Sequence, residues 1–263
     1  TTKMFSKVLH IGINYIKTDF ELNGCHNDVY NLNNWLRNSL HFDGECKILM
    51  DDGKHELPTY QNVKDACQWL TADAKSGDKL FFHYSGHGSW IFDKSGDEND
   101  GRDETICPLD QDMIDDEIRQ VLVDSLPEGV ILVGIVDACH SGSCMDLRYS
   151  YKFKNPLISN ADNHYTDSKA QVYLFSGCKD DQTSADSYIR NETNRQYQYQ
   201  GAMTWSFLKT WKKLEKTSYT YADFMKELIA HGAKLDAQLN KKLWYRKFRY
   251  SDDWVDPNGA TAF

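Results

Sequence analysis

Apolar and polar positions along the chain follow two kinds of spacing. Short apolar runs predict strands at residues 7–13, 46–50, 79–84, 130–136 and 171–176. Apolar residues three and four apart predict helices at 27–40, 63–74, 116–126, 202–214 and 221–235. The run 130–136 contains no polar residue, which is typical of a strand that is buried on both faces. Strands that alternate with helices predict an α/β fold in which helices flank a central, mostly parallel sheet.

Polar segments separate or follow these elements, and they lie at residues 93–117, 148–169 and 179–200. The second of them contains Pro156 and predicts an irregular, exposed linker. We therefore expect one domain with a large portion at about 1–147, the linker at about 148–169 and a small portion at about 170–263. Residues 241–263 are aromatic and charged, and their pattern predicts no particular element.

Composition argues against a nucleic-acid-binding protein and against a membrane protein. The net charge of the 263 residues is −9, without the basic surplus of a nucleic-acid-binding protein. Mean hydropathy is −0.65, and the longest apolar run is far short of the ~18 residues that span a bilayer, so we expect no membrane association. The seven cysteines form no CxxC pair and no signal-peptide pattern is present, which predicts free thiols and a cytoplasmic location. Cys107 and Cys144 are expected to be small packing residues.

Two predicted strands end in residues that can carry catalysis. His87 lies between two glycines after the strand at 79–84, and Cys139 lies just beyond the strand at 130–136. Because parallel strands end at one edge of a sheet, a thiol nucleophile and its imidazole base would meet there. The backbone N–H groups of Gly88 and Cys139 could bind a developing oxyanion. A buried structural cysteine beside a loop histidine is the alternative interpretation.

The motifs HYSGHG and DACHSG, about 50 residues apart, resemble the catalytic signature of the metacaspases, which are caspase-like cysteine peptidases. The resemblance covers most of residues 7–186 and includes the motifs IGINY, LNGCHND, DETICPLD, DDEI and SGCKDDQTSAD. It implies a caspase-like three-layer α/β sandwich in which the large portion precedes the small one, as in type I members. It also implies His87 as the base and Cys139 as the nucleophile of an endopeptidase that cleaves after Arg or Lys.

Carboxylates near the predicted nucleophile suggest which side chain is recognised. Asp137 is two residues before Cys139, so an extended chain places both on one side, and Asp28 lies near another strand end. Carboxylates in a pocket can bind a guanidinium group in bidentate fashion. The resemblance implies that Asp28, Ser85 and Asp137 line a pocket for a basic side chain. Two alternatives stay open, namely a helix cap for Asp28 and a backbone N–H partner for Asp137.

The segment 93–117 holds eleven acidic and two basic residues, which equals the whole net charge of the chain. Its sequence does not fit an EF-hand loop, although a calcium site can also take oxygen ligands from separate segments. The family resemblance implies stimulation by Ca²⁺ through Asp103, Asp115, Asp116 and Asp146. A solvated acidic loop that precedes a helix is the alternative.

The predicted linker contains basic residues close in sequence to Cys139. A peptidase with an acidic pocket could cleave itself there, and the candidate positions are Arg148, Lys152 and Lys154. An ordinary surface loop is an equal alternative. The expected partners are protein or peptide substrates with Arg or Lys at the cleaved bond, and the resemblance implies a monomer. Two other hypotheses are a catalytically silent caspase-like interaction module and a legumain-like cysteine peptidase.

Overall fold

The computed structural model describes residues 5–92, 102–139, 144–152, 158–161, 165–178, 187–191, 194–239 and 245–250. In this part of the chain the strands are β1 (Lys7–Gly12), β2 (Glu45–Met50), β3 (Lys79–Ser85), β4 (Gly88–Phe92), β5 (Arg102–Ile106), β6 (Met113–Ile114), β7 (Ile131–Asp137), β8 (Tyr149–Lys152), β9 (Ile158–Ala161), β10 (Gln171–Cys178), β11 (Ser187–Arg190), β12 (Tyr197–Gln200) and β13 (Tyr245–Tyr250). The helices are α1 (Cys25–Asn38), α2 (Tyr60–Thr71), α3 (Asp115–Arg119), α4 (Ala202–Leu214) and α5 (Tyr221–Leu239). A π-helical turn, Gln120–Asp124, continues α3.

The main sheet of the described chain has the strand order β2-β1-β3-β7-β10-β13-β8-β9. Its first five strands are parallel to one another, and the last three pairs are antiparallel. The strands predicted from the apolar runs are β1, β2, β3, β7 and β10, so the sequence pattern marks the parallel half of the sheet. The predicted α/β class with a mostly parallel central sheet is confirmed.

Helices cover both faces of this sheet and make three layers. On one face α2, α3 and the π-helical turn pack on the strands through the buried residues Val63, Leu70, Ile118 and Leu122. On the other face α1, α4 and α5 do so through Leu32, Leu36, Phe207 and Phe224. Burial of each of these side chains contributes about 1.5–3 kcal/mol to folding. No described helix is both long and apolar enough to cross a membrane.

Strands occupy several segments that the sequence pattern assigned to irregular chain. Part of the acidic segment 93–117 forms β5 and β6, which pair with β4 in a small antiparallel sheet. The segment expected to be a linker contains β8 and β9, and the polar segment 179–200 contains the hairpin of β11 and β12. β13 comes from the unassigned segment 241–263 and lies between β10 and β8. These strands are short or polar, so they lack an apolar run that would have predicted them.

Candidate active site

The two predicted catalytic residues follow neighbouring strands. β3 and β7 are parallel, and their last residues, Ser85 and Asp137, are paired in register. The Gly86 N–H continues this pairing and donates to the Asp137 carbonyl oxygen over 3.3 Å. His87 and Cys139 each lie two residues beyond the paired ends. The sheet therefore delivers both residues to one edge, as the sequence pattern predicts.

The backbones on either side of the site are in direct contact at Gly88. A Cβ atom at this position would lie 1.9 Å from the carbonyl oxygen of Cys139, so no residue larger than glycine fits without a shift of the chain. Gly88 also starts β4, where it pairs with Ile106 of β5. The loop that carries the nucleophile thus packs directly on the loop that carries the histidine. The role of the Gly88 and Cys139 N–H groups in binding an oxyanion stays a prediction.

The imidazole of His87 is held by the loop that follows β1. Its Nε2 atom lies 2.7 Å from the carbonyl oxygen of Phe20, which can only accept a hydrogen bond. Nε2 therefore carries the proton, and Nδ1 is the basic nitrogen of the neutral ring. The ring of Tyr15 packs on the imidazole at 4.5 Å between centroids, and the ring of Phe20 meets it edge-on at 6.3 Å.

The surroundings of the other thiols and histidines near the site make them poor candidates for catalysis. Cys144 is buried. Burial raises the pKa of the Cys107 thiol to about 12, and the nearby charge of Asp112 contributes to this shift. The Cys107 thiol is therefore a poor nucleophile at neutral pH. His83 is fully buried in β3, with its Nδ1 atom 3.3 Å from Nδ1 of His10. Cys139 is half-buried, and it lies two residues beyond the end of β7.

A buried carboxylate pair lies beside the dyad. Asp28, Ser85 and Asp137 are fully buried. Ser85 Oγ donates to Asp28 Oδ2 over 2.6 Å, and the Gly201 N–H donates to Asp28 Oδ1 over 2.8 Å. A Cβ atom at Gly201 would lie 2.0 Å from Asp137 Oδ2 and 2.6 Å from Asp28 Oδ2. The two carboxylates therefore converge on Gly201, and the structure brings together the three residues predicted for the pocket.

The first turn of α4 stabilises the charge of this pair. The Thr204 N–H donates to Asp137 Oδ2 over 2.8 Å. Burial raises the pKa of Asp137 to about 6, although hydrogen bonds from Thr204 and Met203 act in the opposite direction. The alternative of a backbone N–H partner for Asp137 is thus present in the structure, and it coexists with the placement of this carboxylate beside Asp28.

The helix-cap interpretation of Asp28 is wrong. Asp28 is the fourth residue of α1, whose N-cap is Gly24, and the first N–H groups of this helix donate to Asn14 Oδ1 instead. The Asp28 carboxylate instead accepts hydrogen bonds from β3 and from the start of α4. Its partner Gly201 is far away in the sequence, and the sequence analysis did not single out Gly201 or Thr204. A glycine directly before a predicted helix was the available signal.

The acidic residues predicted to bind calcium cluster around β5 and α3. Asp103, Asp115 and Asp146 are buried, with 3%, 1% and 2% of their surfaces exposed. Burial and the charge of Asp146 raise the pKa of Asp115 to about 10. Asp116 is half-buried, and its N–H donates to Asp115 Oδ1 over 3.0 Å. The structure therefore packs like charges together at low exposure, which contradicts the alternative of a solvated acidic loop at these positions.

Glu104 is a further member of this cluster. Its N–H donates to Asp115 Oδ2 over 2.8 Å, and its Oε2 atom is buried without a hydrogen-bond partner in the described chain. Among the described residues, no three His, Cys, Asp or Glu side chains converge closely enough to hold a metal ion as they stand. Arg119 of α3 reaches the same region and donates to the carbonyl oxygen of Asp146. The sequence analysis counted Glu104 as part of the acidic segment but did not select it.

The predicted self-cleavage residues lie in three different settings. Arg148 is half-buried and forms an ion pair with Asp167 at 3.2 Å. Lys152 is the last residue of β8, where it pairs with Ile158 of β9. Lys154 lies outside the described residues. Cleavage at any of these positions stays a prediction.

Comparison with known proteins gives the family. The family model for the metacaspase peptidase C14 domain matches residues 6–148, which is more than half of the chain. The chain belongs to the metacaspase family. It is 35% identical to Metacaspase-1 of Schizosaccharomyces pombe and 36% identical to Metacaspase-1A of Aspergillus oryzae, in each case over 81% of its own length. It spans 61% and 62% of the length of these two relatives, which is less than two thirds in each case.

Solved structures agree with this family assignment at the level of the fold. The metacaspase superposes on protein GSU0716 from Geobacter sulfurreducens with a TM-score of 0.65 and 25% identity, over 97% of both chains. It superposes on the structure of pro-sf-caspase-1 with a TM-score of 0.51 and 10% identity, over 90% of this chain and 82% of that one. The second similarity shows the fold alone, and it confirms the predicted caspase-like α/β architecture. Membership of the metacaspase family removes the legumain-like hypothesis.

Proposed function

We propose that this metacaspase domain is a cysteine endopeptidase that cleaves peptide bonds after Arg or Lys. The observation that carries the proposal is the buried pair Asp28 and Asp137 beside the strand ends that bear His87 and Cys139. Two carboxylates and the Ser85 hydroxyl match the donors of a guanidinium or ammonium group. A substrate with such a side chain in this pocket would place its next peptide bond near the thiol.

The dyad would act by covalent catalysis. Cys139 Sγ attacks the carbonyl carbon of the scissile bond after its proton passes to His87, and the N–H groups of Gly88 and Cys139 bind the resulting oxyanion. The imidazolium then gives the proton to the leaving amine, which breaks the C–N bond and leaves a thioester. Water, deprotonated by the same imidazole, hydrolyses the thioester and restores the thiol. The hydrogen bond from Nε2 to Phe20 favours this role because it leaves Nδ1 basic.

We also propose that Ca²⁺ stimulates this activity through Asp103, Asp115, Asp116 and Asp146. Ca²⁺ takes six to eight oxygen ligands, and buried acidic oxygens of this kind suit a hard cation. The raised pKa of Asp115 supports the proposal, because it reflects burial and repulsion that a cation would relieve. The ion would draw together carboxylates that do not form a finished ligand set in this geometry.

Cleavage of reporter peptides tests the enzymatic proposal. Wild-type protein should hydrolyse peptides that end in Arg or Lys before the reporter group, and it should not hydrolyse peptides that end in Asp. Cys139→Ala should lose hydrolysis, whereas Cys107→Ala should keep it because the Cys107 thiol stays protonated at neutral pH. A preference for Asp would contradict the acidic pocket. Absence of both hydrolysis and labelling by a thiol-reactive arginyl inhibitor would favour the interaction module.

The proposal also covers the substrates, oligomeric state and location of the enzyme and cleavage of its own chain. The enzyme acts on proteins or peptides as a monomer in the cytoplasm, and it cleaves its own chain after Arg148, Lys152 or Lys154. The strand pairing of Lys152 disfavours cleavage there in the folded state, since a protease needs locally extended and unpaired chain. Mass spectrometry of the purified wild type and of Cys139→Ala would locate any cut and show whether it depends on the nucleophile.

A further inference from the structure

Two buried tyrosine hydroxyl groups lie beneath the histidine loop and have no part in the chemistry described so far. Tyr15 is 7% exposed and Tyr84 is fully buried. Their hydroxyl oxygens are 3.2 Å apart although the residues belong to different segments of the chain. Tyr15 follows β1 and Tyr84 lies in β3, one residue before the strand end. Buried hydroxyl groups are costly unless they are hydrogen-bonded, so their partners indicate what the pair does.

The hydroxyl pair holds the backbone of the predicted base. The His87 N–H donates to Tyr15 Oη over 2.9 Å, and Tyr84 Oη donates to the His87 carbonyl oxygen over 2.7 Å. Tyr15 Oη donates its own hydrogen to the Cys107 carbonyl oxygen over 2.7 Å. The Cys107 N–H is shared between Tyr84 Oη and the His87 carbonyl oxygen, each at 3.2 Å. Each hydroxyl thus donates once and accepts once. The network is complete and joins His87 to Cys107 directly beyond β5.

The glycine before His87 fits this arrangement. A Cβ atom at Gly86 would lie 2.6 Å from Tyr84 Oη and 3.0 Å from Tyr15 Oη, so the hydroxyl pair occupies the space of a side chain. Glycine residues on both sides leave the backbone of His87 with wide conformational freedom. External hydrogen bonds must then define the orientation of the histidine, because the local sequence does not. Tyr15 adopts a φ of 51°, which is uncommon for a residue other than glycine.

Two further observations agree with a positioning role. The Tyr15 ring packs on the His87 imidazole at 4.5 Å, so one residue contacts both the ring and the backbone of the histidine. Burial raises the pKa of both tyrosines well above the ordinary value. Both hydroxyl groups therefore stay protonated and keep the donors that the network requires.

We propose that Tyr15 and Tyr84 are positioning residues that fix the His87 peptide and aim its imidazole at Cys139. This inference rests on the proposed peptidase function. It predicts that loss of either hydroxyl affects the chemical step more than substrate binding, because neither hydroxyl lies in the Asp28 and Asp137 pocket. Small displacements of a catalytic group reduce the rate strongly.

The hydroxyl groups can be removed without removal of the rings. Tyr15→Phe and Tyr84→Phe should each lower kcat for an arginyl reporter peptide by about tenfold and leave KM within about twofold. The double variant should lose less than the product of the single losses, because both hydroxyl groups hold one residue. Tyr221→Phe is the matched control, since Tyr221 is a buried tyrosine that stacks on Tyr173. Tyr221 belongs to the core on the other face of the sheet from Tyr15 and Tyr84, so the loss of its hydroxyl should leave kcat unchanged.

Alkylation of Cys139 gives a readout that needs no peptidase activity. The pH dependence of the iodoacetamide reaction, followed on the Cys139 peptide by mass spectrometry, reports the thiol and imidazole pair. The Phe variants should react more slowly at neutral pH and shift the profile toward that of His87→Ala, and Tyr221→Phe should not. If both Phe variants keep the kcat and the alkylation profile of the wild type, the inference is wrong. If the wild type cleaves no arginyl peptide but the alkylation profiles shift as expected, only the peptidase proposal fails.

Discussion

Two groups of buried carboxylates lie in the same domain, and their surroundings differ. In the pocket, Asp28 and Asp137 accept hydrogen bonds from a hydroxyl group and from the start of α4, and the pKa of Asp137 is about 6. In the cluster near β5, burial and the neighbouring Asp146 raise the pKa of Asp115 to about 10. Backbone dipoles can thus keep a buried carboxylate ionised near neutral pH, whereas packed acidic side chains need a proton or a cation.

The comparison implies two kinds of ligand. The pKa of Asp137, about 6, is compatible with an ionised carboxylate in the pocket at neutral pH, which suits an organic cation in a fixed geometry. Burial and the charge of Asp146 favour the protonated form of Asp115 in the cluster, and the proposed Ca²⁺ would displace that proton on binding. The pocket should therefore determine which peptide bond is cleaved, and the cluster should determine whether the enzyme is active.

The largest expected effect tests the pocket. Asp137→Asn keeps the shape of the side chain but removes its charge, and it should lower kcat/KM for an arginyl peptide by about 100-fold because the guanidinium loses a buried partner. A citrulline peptide has the same shape without the charge, so its kcat/KM should be almost unchanged. An equal loss for both peptides would mean that Asp137 supports the fold of the site rather than recognition.

The next effect tests the cluster. Asp115→Ala with Asp116→Ala should abolish a calcium stimulation that is on the order of tenfold in the wild type. The ratio of kcat/KM for arginyl and citrulline peptides should stay at its wild-type value in this variant. Activity titrated with Ca²⁺ and with a chelator gives both quantities. Full wild-type activity in excess chelator would show that the activity does not need the metal. A changed arginyl to citrulline ratio in the variant would show that the cluster also affects recognition in the pocket.

A smaller effect follows from the pKa of Asp137. Because this carboxyl takes up a proton as the pH falls through about 6, the arginyl to citrulline ratio should fall by about five- to tenfold between pH 7 and pH 5. The chemical step is the same for both peptides, so an effect of pH on that step cancels in the ratio. Asp137→Asn should make the ratio independent of pH. A wild-type ratio that is constant over this range would show that Asp137 does not carry the recognised charge.

The last effect concerns stability rather than activity, and it is measured in the absence of metal. The pKa of Asp115 is raised on folding, so the folded state holds a proton that the unfolded state has lost above about pH 4. The free energy of unfolding should therefore decrease as the pH rises from about 4 to 10, by at most about 1.4 kcal/mol per pH unit. Urea denaturation at pH 6, 7 and 8 measures this slope. Saturating Ca²⁺ or Asp115→Ala should flatten it, and an unchanged slope would contradict the shift.

The parts of the fold that could be predicted are those whose signals are local. The apolar spacing predicts α4 at 202–214, and the structure has a helix with the same bounds. β13 has the sequence YRKFRY, in which charged residues interrupt the apolar ones, and it forms a strand because β10 pairs with it. Such pairing depends on residues distant in the sequence, so the local pattern could not indicate it.

The residues of the candidate site likewise fall into those that a local signal indicates and those that depend on distant contacts. His87 and Cys139 could be selected because each follows an apolar strand, and strand ends of a parallel sheet share one edge. The role of Asp28 could not be decided, since its partners Ser85 and Gly201 are 57 and 173 residues away. Tyr15 was visible only as part of the motif IGINY, and nothing local indicates that its hydroxyl contacts His87.

The pocket joins the two portions of the chain, and this has a consequence for proteolytic nicking. Asp28 and Asp137 precede the segment 148–169, whereas Gly201 and Thr204 follow it. β7 and β10 are also neighbours across that segment in the main sheet. A cut between the portions would therefore yield two polypeptides that remain associated as one folded unit. The portions expressed as separate chains should reassemble by fragment complementation, and neither should carry a complete specificity pocket on its own.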